Sequence, residues 1–169
     1  MPEKNEPHWL DESEQAAWLS LAGLMVRLPS ALDAQLQRDN QLNLFEYFVL
    51  SNLSMATEHT TRMSELAYLA NGSQSRLSNV AKRLEERGLL RREPSSENGR
   101  HINAILTDTG FEAVRQAAAG HVAAVRHYVF DALEPGQAEQ LHQIGDRIVE
   151  RTDPHSSFPR IDRTGRVLG

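Results

Sequence analysis

The fold of this chain is decided by residues 63–88, which read MSELAYLANGSQSRLSNVAKRLEERG. Apolar residues recur every three or four positions on both sides of Asn71-Gly72, a pair that readily takes the positive φ at which helices end. Ser73 then offers an N-cap for a second helix, and Gly88 is placed to end that helix. The stretch therefore predicts two short helices joined by a tight turn.

The sequence pattern changes period directly after the second helix. Leu89 to Glu93 is short and strand-like, Ser95 to Gly99 predicts a turn, and Arg100 to Leu106 alternates apolar and polar residues like a returning strand. Two helices followed by such a hairpin form a winged helix-turn-helix, whose second helix presents its free face to the major groove of DNA. The predicted fold is mainly α with a small β-hairpin wing and a helical dimerisation region.

The free face of the second helix carries side chains that can hydrogen-bond to base edges or phosphates. Its N-terminus also offers backbone N–H groups and a partial positive charge to a phosphate. An arginine beside the Asn-Gly turn of the wing is placed to reach an adjacent minor groove. The candidate DNA-binding residues are Ser73, Gln74, Ser75, Arg76, Ser78, Asn79, Lys82, Arg83, Asn98 and Arg100. The alternative is an ordinary solvated helix face.

Spacing and charge divide the roles within this set. Arg76 and Asn79 are three positions apart on one helix face, so they are predicted to read bases. Lys82 and Arg83 lie a turn further along and are predicted to contact phosphates. Residues 73–106 hold seven Lys and Arg against four Asp and Glu, a net +3, which leaves −8 for the rest of a chain of net charge −5. A basic central segment within an otherwise acidic chain indicates a local anionic partner.

Two helices are predicted before the motif. Residues 11–39 predict a long helix with a leucine stripe, in which Pro29 predicts a kink or break near Leu28. Asn43 predicts the cap of a helix over residues 44–55. The predicted buried residues of this helix are Phe45, Phe48, Val49 and Leu53.

A short connection links these helices to the motif. Residues 57–61 predict a loop. The first helix of the motif is then predicted over residues 62–70, with Thr60 or Thr61 as its cap.

Two more helices are predicted after the wing. Thr107 is a predicted N-cap, and the helix that follows carries apolar residues at alternating steps of three and four, close to a coiled-coil seam. That seam is Phe111, Val114, Ala118, Val122, Val125, Val129 and Leu133. Pro135 is predicted to open the last helix at a first-turn position. The stripe of the last helix is Ala138, Leu141, Ile144 and Ile148.

The chain is therefore predicted to divide into four parts. These are an N-terminal dimerisation helix (10–40), a winged helix-turn-helix DNA-binding domain (43–106), C-terminal dimerisation helices (107–151) and an irregular tail (152–169). The outer apolar stripes fit either one monomeric core or the interface of a homodimer. Their seam-like spacing and the small domain size favour the homodimer.

Composition excludes several classes of protein. The chain of 169 residues has no cysteine, which excludes disulfides, thiolate zinc sites, cysteine nucleophiles and thiol redox sensing. Its seven histidines include no pair at i,i+4, and no Walker, dinucleotide or nucleophile-elbow motif occurs. We therefore expect no catalysis, no metal and no cofactor. A polar, acidic N-terminus and the lack of an apolar run of ~20 residues predict a cytoplasmic protein.

Four segments together resemble a known family. Residues 63–67 are similar to the opening helix of the motif in MarR-family transcriptional regulators, and residues 77–92 resemble the recognition helix of that family running into its first wing strand. Asn98-Gly99-Arg100 resembles the wing tip, and residues 106–110 resemble the start of the next helix. The resemblance extends over roughly residues 10 to 150 and is most specific over residues 63–110.

The resemblance implies a homodimer that binds a pseudo-palindromic operator, usually as a repressor released by a small, often phenolic, ligand. The ligand pocket of the family lies where the dimer helices meet the DNA-binding lobe, and Trp18, Arg27 and Tyr47 are candidates to approach it. The sequence identifies neither the effector nor the residues that bind it.

One position departs from the pattern of the family. The family commonly has an acidic residue two positions before the wing arginine, where this chain has Asn98, with Glu97 one position earlier. A winged-helix module that binds proteins and lacks DNA affinity is the alternative function. The retained Arg76, Lys82, Arg83 and Arg100 favour DNA.

Overall fold

The computed structural model describes residues 7–95 and 99–153, together with the backbone of residues 160–161 and 167–168. Within these residues the fold is mainly helical, with a small antiparallel sheet, as predicted. The helices are α1 (Glu12–Asn40), α2 (Leu44–Met55), α3 (Met63–Leu69), α4 (Gln74–Glu86), α5 (Asp108–Tyr128) and α6 (Gln137–Thr152). The strands are β1 (Thr60–Arg62), β2 (Leu90–Pro94), β3 (Ile102–Leu106), β4 (Arg160–Ile161) and β5 (Val167–Leu168), and short 3₁₀ turns lie at Thr57–His59 and Phe130–Ala132.

Helix α1 runs without a break through Pro29, so of the predicted kink or break near Leu28 the break is wrong. Proline removes its own N–H from the helix ladder, and its ring crowds the carbonyl four residues earlier. Met25, Pro29 and Ser30 are exposed, so water can satisfy the carbonyl that the missing donor leaves. A capping box starts the helix, because the Glu14 N–H donates to Asp11 Oδ1 (2.8 Å) and the Asp11 N–H donates to Glu14 Oε2 (3.0 Å).

Helix α2 lies at the centre of the core. Asn43 caps it as predicted, and Phe45, Val49 and Leu53 are buried. Phe48, predicted to be buried with them, is 38% exposed because it lines an open groove beside the core. The core around α2 is completed by Leu66 of α3, Leu77 and Leu84 of α4, Ala104 and Leu106 of β3, and Val114 of α5.

The sheet has three strands in the order β1-β3-β2, all antiparallel. Strands β2 and β3 form the predicted wing, with Leu90 opposite Leu106. Strand β1 pairs Thr60 with Ile105 and Thr61 with Ala104, where the sequence predicted a loop. The predicted caps of α3 are therefore wrong, since both threonines belong to the strand and Arg62 takes the N-cap position. Three residues are too few to show the alternation of a strand.

Helix α5 begins at the predicted cap, where the Gly110 N–H donates to Thr107 Oγ1 (3.0 Å). It ends at Tyr128, so Val129 and Leu133 at the end of the predicted seam lie outside it. Helix α6 begins at Gln137 after Gly136, whose φ is +86°, and Pro135 precedes the helix instead of opening it. Glycine can take this positive φ at the helix start, whereas the φ of proline is fixed near −65°.

The outer helices leave apolar residues exposed. Helix α1 packs along α5. Val122 of α5 is 61% exposed, and within the described part of the chain α6 buries none of its residues. In the tail, β4 and β5 pair as a two-residue antiparallel ladder, which the predicted irregular tail did not include. Residues 154–159, 162–166 and 169 lie outside the described residues. In the described part, no helix is both long and apolar enough to cross a bilayer.

Candidate DNA-binding site

Helix α4 has two faces of opposite character. Leu77, Val80, Ala81 and Leu84 point into the core and are buried, as predicted. The candidate residues around the other face, and the N-cap, are all exposed: Ser73, Gln74, Ser75, Arg76, Ser78, Asn79, Lys82 and Arg83. The helix thus presents a continuous polar surface on a fixed apolar base.

The two ends of α4 are fixed by local contacts. The Arg76 N–H donates to the Ser73 side chain (3.2 Å), which confirms the predicted N-cap. The first turn, Gln74 to Arg76, contains no acidic residue that would oppose a bound phosphate. At the other end, Gly88 has a φ of +70°, and the Leu89 N–H donates to the Leu84 carbonyl (2.9 Å), as in a Schellman motif. Both ends of α4 are therefore fixed within the winged helix-turn-helix lobe (residues 43–106).

Arg76 rests on an aromatic ring of α2. Its guanidinium carbon lies 4.1 Å from the centroid of the Phe45 ring, a cation–π contact. Gly72 supports the same ring from the turn before α4, where a Cβ atom would stand 2.6 Å from Phe45 Cζ. The turn thus needs glycine at this position to bring the ring under the arginine.

Arg83 is paired inside the protein. Its Nη2 lies 3.1 Å from Oε1 of Glu46, a buried carboxylate of α2, and its Nε lies 3.4 Å from the same oxygen. Arg87 Nη1 approaches Glu46 Oε2 at 3.7 Å. By contrast, Lys82 makes no ion pair with any of the described residues. The two residues predicted to contact phosphate therefore have different surroundings.

The wing is joined to the C-terminal part of α4. Arg92 of β2 donates to Glu85 through Nη2 (2.6 Å), Nε (3.0 Å) and its backbone N–H (2.8 Å). These hydrogen bonds lower the pKa of the Glu85 carboxyl below its usual range. Arg100 is exposed beside the turn, and the predicted contact Asn98, like Glu97, lies outside the described residues.

A groove of about 960 Å³ runs between α1, α2 and α4. Its walls include Asp33 of α1, Phe45 and Phe48 of α2, and Arg76 and Asn79 of α4. Trp18, Arg27 and Tyr47 do not line it. Tyr47 is buried instead against His121, with ring centroids 4.5 Å apart, and burial raises the pKa of Tyr47 and lowers that of His121. No cluster of metal-ligating side chains occurs among the described residues.

Phe45 and Glu46 belong to the site but were not predicted as parts of it. Phe45 was interpreted only as a core residue, and Glu46 was not singled out. A partial signal for Glu46 was available, because Asn43 followed three residues later by Glu is a capping-box pattern, and the Asn43 N–H does donate to Glu46 Oε2 (3.0 Å). That pattern does not show that the same carboxylate reaches α4.

Comparisons with known proteins agree with this geometry. Residues 42–102 match the MarR family profile. The crystal structure of Sco3205, a MarR family transcriptional regulator from Streptomyces coelicolor in complex with DNA, superposes with a TM-score of 0.84 at 41% identity, covering 90% of this chain and 95% of that one. AbsC, a MarR family transcriptional regulator from the same organism, gives a TM-score of 0.82 at 34% identity, covering 88% of this chain and all of that one (100%).

A curated relative gives a shorter match. The transcriptional repressor MprA of Escherichia coli K12 is 27% identical over 107 residues, which are 63% of this chain and 60% of MprA. The two Streptomyces structures match most of the chain at more than 30% identity, and both agree with the winged helix described above. This chain therefore belongs to the MarR family of transcriptional regulators, which are not enzymes.

Proposed function

We propose that the chain is a homodimeric repressor that binds a pseudo-palindromic operator through α4 and is released from it by a small, often phenolic, ligand. The observation that carries this proposal is the exposed polar face of α4, seated on four buried apolar residues. Sco3205, at 41% identity, is a DNA-bound member of the family, which supports DNA as the partner. MprA is a repressor, which supports repression. A protein that binds the operators of bacterial genes acts in the cytoplasm.

In this proposal α4 enters the major groove. Arg76 and Asn79 read base edges, since arginine pairs bidentately with guanine and asparagine with adenine, each worth ~1–3 kcal/mol of discrimination. Ser73 and the first turn of α4 receive a phosphate, and Lys82 contacts the backbone. Gln74, Ser75 and Ser78 supplement these contacts along the same face. Arg100 approaches the adjacent minor groove, and Asn98 remains a candidate contact.

The homodimer is supported by the outer helices. Leu141, Ile144 and Ile148 of α6 are between 41% and 51% exposed in the single chain and share one helix stripe. Apolar surface of this kind on a small protein marks an association site. A two-fold dimer of these helices presents two α4 helices to successive half-sites, about 34–36 Å apart on DNA.

Ligand release is supported by the groove between α1, α2 and α4. It combines the aromatic rings of Phe45 and Phe48 with the polar side chains of Arg76 and Asn79. A ligand of aromatic character with an acceptor group fits such walls. Because Arg76 and Asn79 also belong to the proposed DNA contacts, an occupied groove and a bound operator compete for the same side chains.

The test is fluorescence anisotropy with a duplex from the region upstream of the gene and a scrambled duplex of equal composition, at about 50 mM and about 200 mM salt. Arg76→Ala should reduce the preference for the specific duplex by ~1–3 kcal/mol, whereas Arg115→Ala on α5 is a matched loss of an exposed arginine and should leave it unchanged. Arg100→Ala should weaken binding with less effect on base preference. If Arg76→Ala and Arg100→Ala both bind like the wild type, the protein-binding alternative becomes the better interpretation.

A further inference from the structure

Glu46 occupies an unusual position for a carboxylate. It is 5% exposed and lies on α2 between the buried Phe45 and Tyr47, yet both of its oxygens are engaged. Oε2 accepts from the Asn43 N–H (3.0 Å), and Oε1 accepts from Arg83 (3.1 and 3.4 Å). With Arg87 at 3.7 Å, one buried carboxylate joins α2 to Arg83 in the last turn of α4 and to Arg87 at its C-cap.

The two sides of the Glu46–Arg83 pair differ in access to water. The Arg83 side chain is 51% exposed, whereas the Glu46 side chain is 6% exposed. If Arg83 turned outward to a phosphate, it would give up its contacts with Glu46. Glu46 would then keep the Asn43 N–H and the longer contact to Arg87, and a buried charge without a close cationic partner is costly. The equilibrium therefore favours Arg83 on Glu46.

Lys82 provides the contrast on the same turn of α4. It is exposed and makes no ion pair with the described residues, so its ammonium can move to a phosphate without breaking a contact in the protein. Asp33 is the carboxylate that lines the groove with Arg83, and its Oδ1 already accepts from the Leu44 N–H (2.7 Å). The carboxylate that Arg83 contacts is therefore that of Glu46.

We propose that Glu46 is a positioning residue for the recognition helix: it holds α4 on α2 through Arg83 and Arg87, and it keeps Arg83 from serving as a phosphate contact. This inference rests on the proposed DNA binding by α4 and deepens it. On this turn of α4, Lys82 is then the only residue that neutralises a phosphate. It also makes the α2–α4 bridge a determinant of operator preference, because the side chains that read bases must arrive at a fixed depth and angle.

The experiment compares Lys82→Ala, Arg83→Ala, Arg83→Lys and Glu46→Gln by anisotropy titration over a series of salt concentrations, on specific and scrambled duplexes. Lys82→Ala should weaken both duplexes alike and reduce the salt slope by ~1 per protomer. Arg83→Ala should leave the slope at the wild-type value but reduce preference for the specific duplex by about tenfold, the size expected for losing one charged hydrogen bond. Arg83→Lys keeps a cation beside Glu46 and should recover part of that preference.

Glu46→Gln removes the charge but keeps the size and the acceptor for the Asn43 N–H. It should reduce operator preference as Arg83→Ala does, and its salt slope should rise because Arg83 becomes available to phosphate. The double variant Glu46→Gln/Arg83→Ala should lose no more preference than either single variant, since both remove the same bridge. Arg83→Ala alone leaves the buried Glu46 charge without its close cationic partner, which can prevent folding. The double variant has no carboxylate at position 46, so the salt slope without Arg83 can still be measured on it.

The outcomes separate this inference from the proposed function. If removing Arg83, alone or in the double variant, lowers the salt slope by the same ~1 as Lys82→Ala while the operator preference is retained, Arg83 is a phosphate contact and the inference is overturned. If Lys82→Ala and Arg76→Ala both leave binding unchanged, DNA binding by α4 is itself wrong. A wild-type slope in Arg83→Ala, together with reduced preference, supports the inference.

Discussion

The winged helix-turn-helix lobe buries its apolar residues, whereas the helices that flank it leave many of theirs exposed. In the lobe, Leu50, Leu53, Leu66, Leu77 and Leu84 are fully buried (0% exposed). In α5 and α6, Val122 is 61% and Ile144 51% exposed, although these helices follow the same three-four spacing. The difference teaches that periodicity shows which side of a helix is apolar, but not whether the same chain covers it. We infer that the core of the lobe is completed within one chain, with Leu36 of α1 and Val114 of α5 packed against it, whereas the exposed stripes of the flanking helices are covered by a second copy.

The largest expected effect is the loss of the dimer when a flanking helix is changed. Ile144→Asp should convert a dimer of twice the 19.0 kDa chain mass into a monomer, because a carboxylate buried at the interface without a partner costs on the order of several kcal/mol. Analytical ultracentrifugation at micromolar concentration measures this directly. Ile102→Asp is the matched control, since Ile102 is an isoleucine of the wing that is 41% exposed, and it should leave the mass unchanged. A wild-type protein that sediments as a monomer would contradict the homodimer.

The next largest effect is a loss of stability when a buried residue of the lobe is changed. Leu84→Ala should lower the free energy of unfolding by about 2–5 kcal/mol, because Leu84 is fully buried and its loss leaves a cavity. Urea unfolding followed by circular dichroism measures the change. Leu24→Ala on α1, where the leucine is 46% exposed in the single chain, should cost less. Its cost should also vary with protein concentration if the partner covers that face. Equal costs for the two variants at every concentration would remove the distinction between lobe and flank.

The smallest expected effect comes from the Glu85–Arg92 pair, which joins α4 to the wing. Hydrogen bonds from Arg92 hold the pKa of Glu85 below its ordinary value, so the charged carboxylate stabilises the fold at neutral pH, and this stabilisation is lost as the pH falls below that value. Glu85→Gln should therefore lower the unfolding free energy at pH 7 by less than about 1 kcal/mol, as for a partly exposed pair, and the difference from wild type should shrink in acid. Glu86→Gln is the exposed neighbouring control. A Glu85→Gln deficit that grows on acidification would contradict this account.

Local pattern predicted α4 and its surroundings well. The Ser73 cap, the buried face of α4 and the end at Gly88 are all confirmed, because each depends on residues within a few positions of one another. The wing strands are confirmed within one or two residues. Strand β1 was missed because its pairing partner, β3, lies more than forty residues away in sequence.

The site itself was predicted only in part, for a related reason. Exposure of Arg76, Asn79 and Lys82 follows from their positions on an amphipathic helix, and the structure confirms it. The contacts of Arg76 with Phe45 and of Arg83 with Glu46 join residues 31 and 37 positions apart, so no local pattern contains them. The break expected near Pro29 did not occur, because a proline inside a helix does not always end it.

The ring of Phe45 beneath Arg76 has a consequence for the entropy and speed of DNA binding. A free arginine side chain loses up to ~2 kcal/mol of rotamer freedom when it is fixed. On the Phe45 ring, part of that freedom is already lost when the chain folds, so less remains to be lost when DNA arrives. In the proposed complex, the helix would then meet its operator as a pre-ordered surface, and differences in affinity among operators should appear mainly in dissociation rates.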